Sequence, residues 1–150
     1  MLFLEHQMLD MKNVVACRAD ASADAINGEL NRAKVQMDSS QMRRNGKAVL
    51  SINGGESWFL FPLADVPERI PQGWLYKERF HLENAVKTRH EGEYARLGES
   101  IDALCGYVGK RGLTTITGKY CALIREWSDG IDPQNVIIDI YVGVSNNDLL

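Results

Sequence analysis

A helical stripe that occurs twice at a fixed offset constrains this chain more than any other feature of its sequence. From Ser22, a residue type that caps helix N-termini, with Asp24 in the turn that follows, the apolar positions Ile26, Leu30, Ala33 and Met37 recur at intervals of 4, 3 and 4 residues. That spacing is one face of an amphipathic helix. Leu97, Ile101, Leu104 and Val108 repeat the same face at a constant shift of 71 residues, Gly46 maps to Gly118 at 72, and Trp58 to Ile138 at 80 after one loop lengthens. Gly28 inside the first stripe is a local conflict, costing about 1 kcal/mol relative to alanine.

The segments around each stripe read alike. Val14 to Cys17 is a short apolar run bounded by Asn13 and Arg18, as a buried strand would be. Residues 47–52 and 57–63 flank Asn53-Gly54-Gly55, and Asn-Gly between two apolar runs is a strong hairpin signal. Pro62, Pro67, Pro71 and Gly73 then break regular structure. Leu82 to Thr88 is again strand-like, and His90, Glu91 and Gly92 turn into the second helix. Lys110, Arg111 and Gly112 end that helix, with cations at its negative end and a glycine free to take positive φ. Strands over 119–125 and 136–144 follow, separated by a loop from Trp127 to Gln134. The expectation is an α+β fold, a tandem duplication of a strand-helix-strand-strand unit, with the first repeat at about 12–66, a linker at about 67–81 and the second repeat at about 82–144. Such a unit carries its helix on one face of a small antiparallel sheet, so its other face needs a partner or a guest.

Composition narrows the function classes. The 150 residues are 45% hydrophobic and 25% charged, ordinary values for one globular domain spanning 1–150 and unlike a disordered or membrane-spanning chain. Seventeen basic residues against 20 acidic ones give a net charge of −3, without the basic footprint of a nucleic-acid binder. Residues 1–11 lack a signal-peptide pattern and are too few for a helix-turn-helix, so neither export nor direct DNA contact is expected. Cys17, Cys105 and Cys121 are odd in number and lack metal or disulfide spacing, as for reduced thiols in a cytoplasmic protein. His6, His81 and His90 show no metal-ligand pattern and no phosphate loop is present, so no cofactor is expected. Arg43, Arg44 and Lys47 cluster around a turn and read as a solvated loop.

Residues 85–97, Ala-Val-Lys-Thr-Arg-His-Glu-Gly-Glu-Tyr-Ala-Arg-Leu, resemble the strand, H-x-G-x-Y, helix signature of GyrI-like small-molecule-binding domains, which are also the effector-binding domains of AraC-type and MerR-type regulators. The resemblance continues through Gly112-Leu113, Gly118-Lys119-Tyr120 and Asp132-Pro133 to the closing strand Ile137 to Val144. It is good over about residues 82–144 and rests on the order of elements over 12–66. It implies a pseudo-twofold domain whose central groove binds lipophilic, often cationic, organic molecules against aromatic rings, at about 0.5–2 kcal/mol per cation contact. A member standing alone, as the length suggests, would bind or sequester a xenobiotic. Alternatives that the resemblance allows are hydrolysis of a reactive xenobiotic and contact with gyrase or a separately encoded regulator.

By the same resemblance the ligand's counter-charge is commonly a glutamate at the position of Ala122, where this chain has no acid. Asp139 matches another acidic position of the pattern. Glu126 shares its nominal alternation with Tyr120, Ala122 and Ile124, so either acid could substitute, and if neither faces the groove the ligand would be neutral or anionic. Trp58, Trp74, Tyr76, Tyr120, Trp127 and Tyr141 fall on the strands and linker expected to border the groove, and complete the candidate ligand-binding set. Trp58 alternates with Leu60, opposite Phe59 and Phe61, and the sequence leaves open which pair meets a helix. His90 and Tyr94 read mainly as structural.

Overall fold

The computed structural model describes residues 1–146. In chain order the elements are β1 Phe3–Arg18, α1 Ile26–Ser39, β2 Val49–Asn53, β3 Glu56–Pro62, β4 Leu75–Gly92, a single 3-10 turn Tyr94–Arg96 running into α2 Leu97–Lys110, β5 Leu113–Leu123 and β6 Val136–Asn146. All strand pairings are antiparallel, and they close into a barrel of order β1-β3-β2-β5-β6-β4, with β4 returning to β1. Closure is the arrangement that leaves no strand edge free to recruit another chain. In each half of the chain the last strand sits between the other two: β3 lies between β1 and β2, and β6 between β4 and β5.

Both helical stripes face the barrel. Ile26, Leu30, Ala33 and Met37 on α1, with Leu97, Leu104 and Val108 on α2, are buried in one cluster with Val15, Cys17, Leu50, Phe59, Phe61, Cys121, Leu123, Ile138 and Ile140. The strand members alternate as the pleat requires, so the helices cover one face of the sheet. Phe59 and Phe61 therefore meet the helices, and Trp58 and Leu60 point the other way. A second, smaller cluster of Met11, Val14, Val49 and Ala122 occupies that other face, with Leu9, Leu60, Phe80, Tyr120, Ile124 and Tyr141 packed against it. The edge-on contact of Phe80 with Tyr120, centroids 4.8 Å apart, joins β4 to β5. Those strands share no hydrogen-bonded ladder, so the contact crosses from one wall of the barrel to another.

Several boundaries differ from the sequence reading. The first strand starts at Phe3, eleven residues before the apolar run that signals it, and its N-terminal half pairs with β4 from Phe3 opposite Thr88 to Lys12 opposite Arg79. Its side chains alternate between half-buried and exposed, but the residues filling that pattern are Glu5 and Gln7 as often as Phe3 and Leu9, so hydropathy alone carries no period. Left-handed φ values at His6 (59°) and Asn13 (53°) interrupt the alternation. Met11 and Val14, three residues apart, thereby share a face. The interruption between the halves is also shorter than expected: residues 75–81, read as linker, are the first part of β4. They are rich in charge because β4 is exposed there. Strand β5 runs over Leu113–Leu123 rather than 119–125, and α1 begins at Ile26 without a side-chain cap, the Ser22 carbonyl accepting from the Ala25 and Ile26 amides instead. The hairpin is as the sequence has it, turning at Gly54 (φ 61°) and Gly55 between Asn53 and Glu56.

Candidate ligand-binding site

Two rungs of the sheet place the strand-borne candidates side by side. Trp58, Ser51, Tyr120, Tyr141 and Lys87 are successive cross-strand partners from β3 to β4, and Leu60, Val49, Ala122, Asp139 and Arg89 form the adjacent rung. Residues directly opposite in an antiparallel ladder share a face. Trp58, Tyr120, Ala122, Asp139 and Tyr141 therefore all lie on the face turned away from the helices. A cleft of about 480 Å³ opens on this face. Its apolar wall is Leu9, Met11, Val49, Ala122, Ile124 and Tyr141, and Asp10, Lys12, Asn45 and Lys47 stand around it. That volume lies within the range of pockets that hold small organic molecules, and the mouth of a β-barrel is a usual place for one. Leu9 and Met11 come from the N-terminal half of β1, which the sequence signalled too weakly to assign.

The remaining candidates lie elsewhere. Trp74 stacks on Phe61 with centroids 6.3 Å apart and donates from Nε1 to Gln36 Oε1 of α1 at 2.9 Å. Tyr76 pairs with Val15 and donates to Asn13 Oδ1 at 2.9 Å, so both rings pack on the helix side. Because β5 ends at Leu123, the alternation that would have put Glu126 beside Ala122 stops before reaching it. Glu126 instead accepts from Arg44 at 2.7 and 2.9 Å and pairs with Lys34 of α1 at 3.0 Å. Trp127 is 56% exposed in the loop that follows.

Asp139 is on the expected face, but its carboxylate is already engaged. Arg89 donates to both of its oxygens, at 2.7 and 3.1 Å, and Lys87 stands 3.3 Å away. Burial pushes the Asp139 carboxyl up, yet the Arg89 hydrogen bond and the two cationic charges outweigh it, so the group stays below the ordinary carboxylate value. Glu126 behaves alike: burial raises it, and Arg44 and Lys34 bring it below its usual range. Tyr120, half-buried, is raised by burial and keeps its proton at neutral pH.

His90 and Tyr94 hold the strand-to-helix turn together. His90 Nε2 lies 2.8 Å from the Glu93 carbonyl and Nδ1 lies 2.7 Å from Ser100 Oγ. Since the carbonyl can only accept, Nε2 carries a proton, and in the neutral ring Nδ1 then accepts from Ser100. Tyr94 donates to the Ala21 carbonyl at 2.6 Å, tying α2 to the loop before α1, and burial raises its hydroxyl. A second cleft, of about 700 Å³, adjoins this turn, but its walls are mainly polar and charged, among them Arg89, Glu91, Arg96 and Glu99. Among the described residues no group of three His, Cys, Asp or Glu side chains could hold a metal ion, and no helix is long and apolar enough to cross a membrane.

The architecture matches solved structures. The chain is similar to the EcmrR C-terminal domain at 12% identity and a TM-score of 0.74, covering 97% of this chain and 99% of that one. It is also similar to EcmrR in an EcmrR-DNA complex, at 15% identity and a TM-score of 0.75, where it spans 97% of its own length and 59% of the larger chain. A hydrolase encoded by lin2189 from Listeria innocua is similar at 9% identity and a TM-score of 0.59, over 96% of this chain and 91% of the other. No protein-family model and no curated protein matches the sequence. Identities this low carry the fold alone: the barrel with its two helices is an architecture shared with the EcmrR C-terminal domain and, less closely, with the Listeria innocua protein.

Proposed function

We propose that this chain is a small-molecule-binding domain that takes a lipophilic organic ligand into the 480 Å³ cleft between its two strand-helix-strand-strand halves. The observation that carries this reading is the apolar wall itself: a barrel face turned away from both helices ends in a hollow lined by Val49, Ala122, Ile124 and Tyr141, with side chains from both halves of the chain. The order of elements and pairings, the same in each half, favours descent by duplication, and a groove along the line relating the halves would follow from it. The barrel shares its architecture with the C-terminal domain of EcmrR, and the resemblance carried by residues 85–97 implies a binding role for such a domain.

The Listeria innocua neighbour described as a hydrolase motivates the second reading, an enzyme on the same fold. Hydrolysis needs a carboxylate or another base free to accept a proton. Asp139 and Glu126 are each held in two ion pairs, which favours binding without bond cleavage.

Thermal denaturation against a panel of lipophilic cations, neutral aromatics and lipophilic anions tests the proposal. A ligand at 100 times its dissociation constant adds about 2.7 kcal/mol to stability, which raises Tm by several degrees for a domain of this size. Absence of any shift across all three classes would remove the binding reading.

A further inference from the structure

We propose that the cleft selects an amphipathic organic anion, a carboxylate with an aromatic or alkyl body, whose head group is met by Lys12 and Lys47 at the rim. The inference rests on the small-molecule reading above and adds the ligand's charge. Three observations on this barrel face point the same way. First, its acids are spent. Asp139 is bound by Arg89 and Lys87, and Asp10, the one acid in the cleft lining, accepts from Arg79 at 2.8 and 3.0 Å with His81 3.3 Å away.

Second, three of the rings on this face already have a cation, and Tyr120 is instead packed edge-on by Phe80. The Lys87 ammonium lies over Tyr141 at 5.5 Å, Lys77 over Phe80 at 6.0 Å and Arg18 over Trp58 at 5.5 Å from the ring centroids. A cationic guest would have to displace these groups and stand beside them, at a cost rather than a gain. Third, the uncompensated charge of the lining is positive. With Asp10 neutralised by Arg79, the remaining ionised lining residues are Lys12 and Lys47, both exposed and neither in an ion pair among the described residues. The arrangement thus has an apolar floor, Val49, Ala122 and Ile124, and two unpaired ammonium groups at its edge, the complement of a lipophilic acid.

Isothermal titration calorimetry with three probes of matched body tests this: 1-naphthylacetate, the neutral 1-naphthylacetamide and 1-naphthylmethyl-trimethylammonium. The acetate is expected to bind roughly tenfold or more tighter than the ammonium probe, and to weaken as salt is raised. The double variant Lys12→Gln/Lys47→Gln, altered at exposed positions only, should lose roughly tenfold for the acetate and leave the amide unchanged. Ala122→Glu should invert the order of the charged probes. Equal binding of acetate and amide, tighter binding of the ammonium probe, or an acetate affinity indifferent to the double variant would each overturn the charge assignment while leaving the cleft a binding site. No binding of any probe would instead count against the small-molecule reading on which the assignment rests.

Discussion

Asp139 shows how a sequence can place a buried side chain on its strand without naming the groups that meet it. Its place in an alternating strand announced an acid on the face of Tyr141, and the structure puts it there, but the two cations that neutralise it sit on β4, some fifty residues earlier. Replacing it with asparagine removes a hydrogen-bonded ion pair of a buried carboxylate, and the expected loss is about 1.5–3 kcal/mol, toward the lower end because Arg89 remains half in water. Urea denaturation at neutral pH measures it. The pH dependence has a definite sign: the folded-state carboxyl lies below its ordinary 3.8, so its contribution is complete above that value and is lost as pH falls through the lower folded-state value. Asp139→Asn should therefore flatten the acid limb of the stability curve, and an unchanged limb would contradict the ion-pair assignment. Thiol chemistry gives an independent check on burial. Burial pushes the Cys17 and Cys121 thiols up to about 12, whereas Cys105 is only half-buried on α2. A disulfide reagent at mildly alkaline pH should modify one thiol rapidly in the native protein and all three in guanidinium.

Among the secondary-structure elements, the helices were plain in the sequence and the strands were not equally so. A stripe at 3.6-residue spacing depends only on the helix itself, and α1 and α2 bury the residues the stripe named, with Ile101 half-exposed at its edge. Strand boundaries depend on partners. Leu113 to Gly118 reads as a threonine-rich connection until Thr114 and Thr115 are found opposite Ser145 and Val144. Where strands crowd, a single methyl group becomes decisive. A Cβ on Gly118 would sit 2.8 Å from the Ile52 carbonyl oxygen and 2.9 Å from Asn53 Cβ, so the backbone of β2 would have to move. Gly118→Ala should cost about 1–3 kcal/mol by overpacking and loosen the pairing of β2 with β5, read as faster amide exchange at Ser51 and Ile52. Gly54→Ala in the neighbouring hairpin turn meets no atom within 4 Å and should act only through its left-handed φ, at about 1 kcal/mol.

The molecule as a whole is closed by its least legible segment. The first half of β1 pairs with β4, its Phe3 ring stacks on Tyr107 of α2 at 4.6 Å, and Glu5 accepts from Tyr107 and Arg111. Leu9 and Met11 then form part of the cleft wall. A chain lacking residues 1–8 should lose both the seam along β4 and the dock on α2. The expected outcome is a lower Tm, loss of exchange protection at those β4 amides from Ala85 to Thr88 that point toward β1 rather than β6, and weaker binding of the proposed ligand, even though none of the deleted residues lines the cleft. Unaltered protection there would mean that the barrel does not depend on this seam.

The sequence by itself determined two helices, their inward faces, the glycine hairpin and the repeated order of elements, because each follows from local periodicity or from one residue's conformational range. It also named Trp58, Tyr120, Ala122, Asp139 and Tyr141 as candidates, but the register that sets them on two adjacent rungs came from strand pairing. Tertiary structure alone decided that the N-terminal residues close the barrel and that Trp74 and Tyr76 serve the helix-covered core. It also decided that each candidate acid meets cations from another element. Those are matters of which distant segments meet, and a one-dimensional pattern of hydropathy and charge carries no term for the partner across a sheet.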